Sequence, residues 1–229
     1  MDNVRLPGGR TVGTVQAAAA LGGIGVATLV ALHLLPQSGG VDPIYQLLSE
    51  YPLQDSGIGV AYVLALLSAN AAAALAGMVM ARSGLLRDRT TTALFAISCA
   101  SLLGLTVFLK DPAGATATWS GNLHQVCTIV TCVSQYLLAV MLWWRYRADP
   151  LWNGRARAVG VLAVAESVAL IPFVVVFATR SGTDKFAGMA IGLVERYMFV
   201  VILVMMVVLT SWAKAMTRDA KRQQEFAAA

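Results

Sequence analysis

Residues 57–81 read GIGVAYVLALLSANAAAALAGMVMA, twenty-five positions without a charged side chain, closed by Arg82. At 1.5 Å per residue, about 18 to 20 apolar residues carry one helix across the hydrocarbon core of a bilayer, whereas a membrane barrel would show short alternating strands. This stretch is long and does not alternate, so it reads as a membrane-spanning helix. Working outward from it, similar runs occupy about 11–35, 91–109, 123–144, 158–179 and 188–212, which makes six spans. The whole chain agrees, with 58% hydrophobic and 13% charged residues, a mean hydropathy of +0.69, and soluble domains near 25% charged for comparison. The expected fold is an all-α membrane protein, a six-transmembrane-helix bundle. Because the spans use most of the 229 residues, one transmembrane domain over 1–229 is expected, with no separate soluble domain.

The basic residues flank the spans with a clear asymmetry. Arg5, Arg10, Arg82, Arg87, Arg89, Arg145, Arg147, Arg155, Arg157, Lys214, Arg218, Lys221 and Arg222 fall on one side; the other side and its adjoining spans hold Lys110, Arg180, Lys185 and Arg196. Short cytoplasmic loops are enriched in Lys and Arg, so both termini are expected in the cytoplasm, with the protein multi-pass in the cytoplasmic (inner) membrane of a bacterium. The net charge of +5 is thus a topology signal, and no nucleic-acid partner is read from it. The first apolar run is too long for a signal peptide and is expected to stay as the first span. Cys99, Cys127 and Cys132 lie within spans and read as small core residues.

The loop over 36–56 is the longest on the sparsely charged side. Asp42-Pro43 is a cap and first-turn pair, and Ile44, Leu47, Leu48 and Tyr51 recur at helical spacing before Pro52, which predicts a short amphipathic helix lying along the outer interface. Gly22, Gly23 and Gly25, the alanines at 71–74, and Gly188-x-x-x-Gly192 mark places where backbones are expected to approach closely.

An ionisable side chain inside a span is a functional candidate because burial in hydrocarbon is costly unless it is paired or wet. His33 ends span one, Asp111 follows span three, His124 opens span four, Glu166 is deep in span five, and Glu195 and Arg196 lie about two turns into span six. Apart from Glu166, a possible proton site, all are expected near the outer face, with Ser49 and Glu50 of the loop folded over them. Neighbours on a helix are about 100 degrees apart, so Glu195 and Arg196 need separate partners, and Asp111 is one candidate for Arg196. Glu166 is expected to hydrogen-bond Ser167 or a neighbouring span. On span four His124, Thr128, Thr131 and Gln135 form one polar stripe, read as a cavity wall at His124 and, lower down, equally as hydrogen-bonding glue between helices.

Four segments, Leu48-Ser49-Glu50-Tyr51 with the preceding Asp42-Pro43, Phe108 to Pro112, Gly121-Asn122-Leu123-His124 and Gly192 to Arg196, together resemble a bacterial membrane family called domain of unknown function 998. The resemblance covers most of the chain and implies a six-helix membrane bundle without implying a reaction. Leu48 stands where family members more often carry Ile.

Three functions compete on these residues. The leading one is an outward-facing polar cavity that binds a lipid headgroup or another amphiphile, as a binding or transport-accessory protein, with Arg196 on an anionic group and His124 and Glu50 completing its hydrogen bonds. The second is an intramembrane metal-dependent hydrolase acting on lipid, with His124, Asp111 and Glu50 or His33 on the metal. The third is a structural subunit with a membrane-protein partner, or a haem protein with His33 and His124 as axial ligands. Membrane lipids are expected partners in any case. No particular cofactor follows from the sequence, which lacks phosphate-binding, H-E-x-x-H, CxxC and G-x-S-x-G motifs.

Overall fold

The computed structural model describes residues 8–35, 40–54 and 57–228. Six long helices follow in chain order: α1 Gly8–Leu34, α2 Gly57–Arg82, α3 Arg89–Val107, α4 Trp119–Tyr146, α5 Asn153–Thr179 and α6 Ile191–Ala228, with a short 3-10 helix at Leu48–Leu53. All six are long and apolar enough to cross a membrane. Their outward faces carry Val60, Val107, Val161, Val164, Val174 and Val207, each at least 63% exposed, an arrangement stable only in an apolar solvent. The chain is a six-helix membrane-spanning protein.

Each predicted span lies on one helix, and the differences at the ends have local causes. Thr118 caps α4 by accepting from the Gly121 amide at 3.1 Å, so α4 begins four residues before the apolar run. Asp88 caps α3, accepting from the Thr91 amide at 2.9 Å and its hydroxyl at 2.7 Å. α6 continues well past the apolar run because its polar tail carries helix-supporting pairs, Lys221 with Glu225 at 3.6 Å and Gln223 with Asp219 at 2.9 Å.

α1 packs on α2, α3 on α4, and α5 on both α4 and α6, while α2 also touches α3 and α6. One buried cluster, including Val79, Met80, Leu85, Leu142, Val159 and Trp212, fills the end of the bundle that carries most of the arginines. Another, with Leu32, Leu48, Tyr51, Ile58 and Tyr62, fills the opposite end under the first loop. Close packing rather than water exclusion holds such helices together, and Gly25 illustrates it: a Cβ there would sit 2.9 Å from the Ala65 carbonyl oxygen. Gly22 meets Ala72, as the small-residue pattern suggested. Gly188-x-x-x-Gly192 does not make a helix interface. Gly188 sits in a turn at φ +74, and Gly192 receives the Gln46 carbonyl of the first loop.

The first loop also departs from expectation. Residues 36–39 and 55–56 of it, including the proline after His33's helix end, lie outside the described residues. Asp42 does start a helical turn, with its carboxylate accepting from Ile44 at 2.7 Å and Tyr45 at 3.2 Å. That turn stops after one cycle, and the chain resumes as the 3-10 helix over Leu48–Leu53. Leu47, Leu48, Ser49 and Tyr51 are buried in the protein instead of resting on an interface. Polar groups from α3 and α6 compete for this segment's backbone and side chains, and they decide its path.

Candidate functional site

Two adjacent residues of α6 grip the first loop. Glu195 accepts the Leu48 amide. Arg196, on the neighbouring face, gives Nη1 to the Gln46 carbonyl at 2.8 Å and Nε to His33 Nε2 at 2.7 Å. Since Arg Nε always donates, His33 Nε2 must accept, so its proton resides on Nδ1 and goes to the Leu29 carbonyl at 2.6 Å. Separate partners for Glu195 and Arg196 were expected, but the proposed Arg196–Asp111 pair does not form. Arg196 instead locks α1, the loop and α6 together.

Asp111 is spent locally. Its carboxylate accepts the Thr118 amide at 2.9 Å and the Thr118 hydroxyl at 2.7 Å, which holds the residue that caps α4. These two hydrogen bonds pull its carboxyl below the ordinary range. Gly121 makes room for it, since a Cβ there would strike the carboxylate. Glu50 pairs with Lys110 at 2.6 Å, both side chains largely buried, and also accepts Gln46 Nε2 at 2.9 Å. The loop is thereby tied to the end of α3 as well.

His124 closes α3 from α4: its Nδ1 lies 2.8 Å from the Phe108 carbonyl, left over at the helix end. With the proton on Nδ1 for that bond, Nε2 carries a lone pair. Two clefts meet at this point. The first has about 610 Å³ of empty space including its open mouth, and besides Asp111 it is lined by Lys110, Lys185, Gln125 and Thr183, with Phe173, Phe177 and Phe186. The second, about 650 Å³ again including its open mouth, is lined by Leu29, Leu66, Leu102, Leu105, Phe199 and Ile202. Ser49, His124, Thr128, Glu195 and Met198 line both.

Of the residues singled out from sequence, Ser49, His124 and Glu195 converge on that shared wall, Asp111 borders the first cleft, and Glu50 touches it through Lys110. His33 and Arg196 stand behind the loop and line neither cleft. Glu166 is elsewhere, buried on α5, and the expected bond to Ser167 is absent because the Ser167 hydroxyl goes to Ala163 at 2.9 Å. Sequence reasoning overlooked Lys110 and Lys185 as site residues. They had been counted only as loop charges, although two lysines on the basic-poor side were themselves a signal. Lys185 donates to Gln125 Oε1 at 2.8 Å and lies 4.3 Å over the Phe177 ring. Burial first, and then Lys110, lower its pKa.

The metal reading loses its geometry, for among the described residues no three His, Cys, Asp or Glu side chains gather as a metal-binding group. Of the four donors named for it, Glu50, Asp111 and His33 already serve other partners. The paired-histidine haem reading fails at His33, where both ring nitrogens are engaged.

Fold and site together define a polytopic helical membrane protein whose first loop is strapped over a pair of clefts at one end of the bundle. Residues 19–212 match the family described as Protein of unknown function (DUF998), and the chain belongs to that family. Neither a curated protein nor a solved structure matches it.

Proposed function

We propose that this protein binds an anionic amphiphile, its headgroup between Lys110 and Lys185 and its hydrocarbon chain in the second cleft, on the outer side of the bacterial inner membrane. The observation that carries the reading is the junction: a cleft lined by Lys185, by Lys110 paired with Glu50, and by Asp111 meets an apolar one, and Ser49, His124, Thr128 and Glu195 stand where head would meet tail. Lys110, itself paired with Glu50, adds to the burial that lowers the Lys185 pKa, and an anion held beside Lys185 would offset both. The role first given to Arg196 passes to the two lysines. Outward orientation rests on the arginine-rich loops at the opposite end.

Native mass spectrometry of the full chain in mild detergent tests this, with lysophosphatidylglycerol and zwitterionic lysophosphatidylcholine as probes. The anionic probe is expected to be retained in preference. Lys110→Gln with Lys185→Gln should lower its retention by about tenfold or more, since one charge-assisted hydrogen bond contributes about 1.5–3 kcal/mol. Equal retention of both probes, unchanged in the double variant, refutes the reading.

A further inference from the structure

The wall shared by the two clefts is selective in what it offers a ligand. On it, Met198 is apolar and the Thr128 hydroxyl is already committed to the His124 carbonyl at 2.9 Å. Glu195 has given Oε2 to the Leu48 amide. Ser49 and His124 have polar atoms to spare.

His124 is 9% exposed and Ser49 6%, so both are nine-tenths buried. The Nδ1 hydrogen of His124 goes to the Phe108 carbonyl, which makes Nε2 a pure acceptor, and Nε2 has no partner among the described residues. The Ser49 hydroxyl has none among them either. Its place is fixed from both sides, by the Leu48 amide on Glu195 and by Glu50 on Lys110 at 2.6 Å. Both residues line both clefts, so one ligand spanning the junction passes them together.

A ligand that drives water off this wall must replace its hydrogen bonds or leave buried polar groups unpaired. Nε2 needs a donor, and the Ser49 hydroxyl can give a hydrogen in return. A ligand hydroxyl does both. An ester oxygen only accepts and would leave Nε2 unpaired, while an ammonium only donates and would meet the field of Lys110 and Lys185 in the adjoining cleft. We infer that the amphiphile carries a free hydroxyl where its head joins its chain, held by His124 Nε2 and Ser49, and that it is a single-chain glycerolipid, since the diacyl parent is esterified at that position. One apolar cleft beside the wall agrees with one chain. The inference rests on the amphiphile reading and adds the class of ligand to it.

Native mass spectrometry of the full chain at about pH 8, above the ordinary imidazole range, tests it with 1-oleoyl lysophosphatidylglycerol and its 2-deoxy analogue, which have the same charge and chain. Wild type is expected to retain the hydroxyl probe about tenfold better, the scale of one buried acceptor left unpaired. His124→Phe keeps a ring without a lone pair and should bring the two probes to near parity while retaining the 2-deoxy probe as well as wild type does; a merely structural role would lower both. Ser49→Ala should cut the preference several-fold, and it carries the comparison if His124→Phe fails to fold. Equal retention of the two probes by wild type, with the preference over lysophosphatidylcholine intact, overturns the hydroxyl site and leaves the amphiphile reading standing. A preference unchanged in either folded variant overturns the site as well, and retention of neither probe overturns both.

Discussion

Arg196 is the residue on which the loop end of the bundle turns. It holds a helix end through His33, the loop through the Gln46 carbonyl and its own helix through the Gly192 carbonyl at 3.0 Å. Hydrogen bonds from a charged group are among the stronger ones in a protein, so Arg196→Gln is expected to cost about 2–3 kcal/mol in reversible unfolding in mixed micelles. Lys at this position keeps the charge but not the forked geometry, and should recover less than half of the loss. An Arg196→Lys variant as stable as wild type would show that the fork is idle. Asp88, at the other end, has its pKa lowered well below the ordinary value, first by the Thr91 amide and hydroxyl and then by Arg145. A depressed carboxyl pKa contributes stability above the unfolded-state value near 4, and that contribution is lost as pH falls toward the folded value. Wild type should therefore lose stability as pH falls from about 4 toward 2 more steeply than Asp88→Ala, measured as Tm against pH.

At the scale of elements, the first loop and the α3–α4 corner are each held by a glycine that lets another group approach. Adding a methyl at Gly192 would press on the Gln46 carbonyl, and adding one at Gly121 would press on Asp111. Overpacking of this kind costs about 1–3 kcal/mol. Gly192→Ala is expected to raise amide hydrogen exchange across residues 42–54 while leaving α4 and α5 protected. In the corner, Gly121→Ala and Asp111→Ala should be less than additive in Tm, because removing the carboxylate relieves the clash. Strict additivity would mean that the two groups do not meet.

For the whole molecule, the decisive measurement is orientation. A reporter active only outside the cytoplasm, fused after Ala113 or Thr183, is expected to be active, and one fused after Asp88 or Asn153 silent. The reverse pattern would turn the clefts toward the cytoplasm and remove the outer leaflet as the source of the amphiphile.

How many helices there are, where they run and which end carries the charge were legible in the sequence, because hydrophobic length and loop charge are sums over short windows and need no knowledge of neighbours. The 57–81 run and its five counterparts each became one helix for that reason. Ser49, His124 and Glu195 were legible as candidates too, since polar groups beside or within apolar runs stand out wherever they fall. What they touch was not. Asp111 turned to Thr118, seven residues along, and Arg196 to His33 on the first helix, while Lys110 and Lys185 met in a cleft that no motif announced. Those pairings depend on the rotation and register of packed helices, set by contacts such as Gly25 on Ala65 and Gly160 on Trp143 that lie far apart in the chain. Only the tertiary structure brings such distant side chains within hydrogen-bonding reach, and so it alone decided which charges pair.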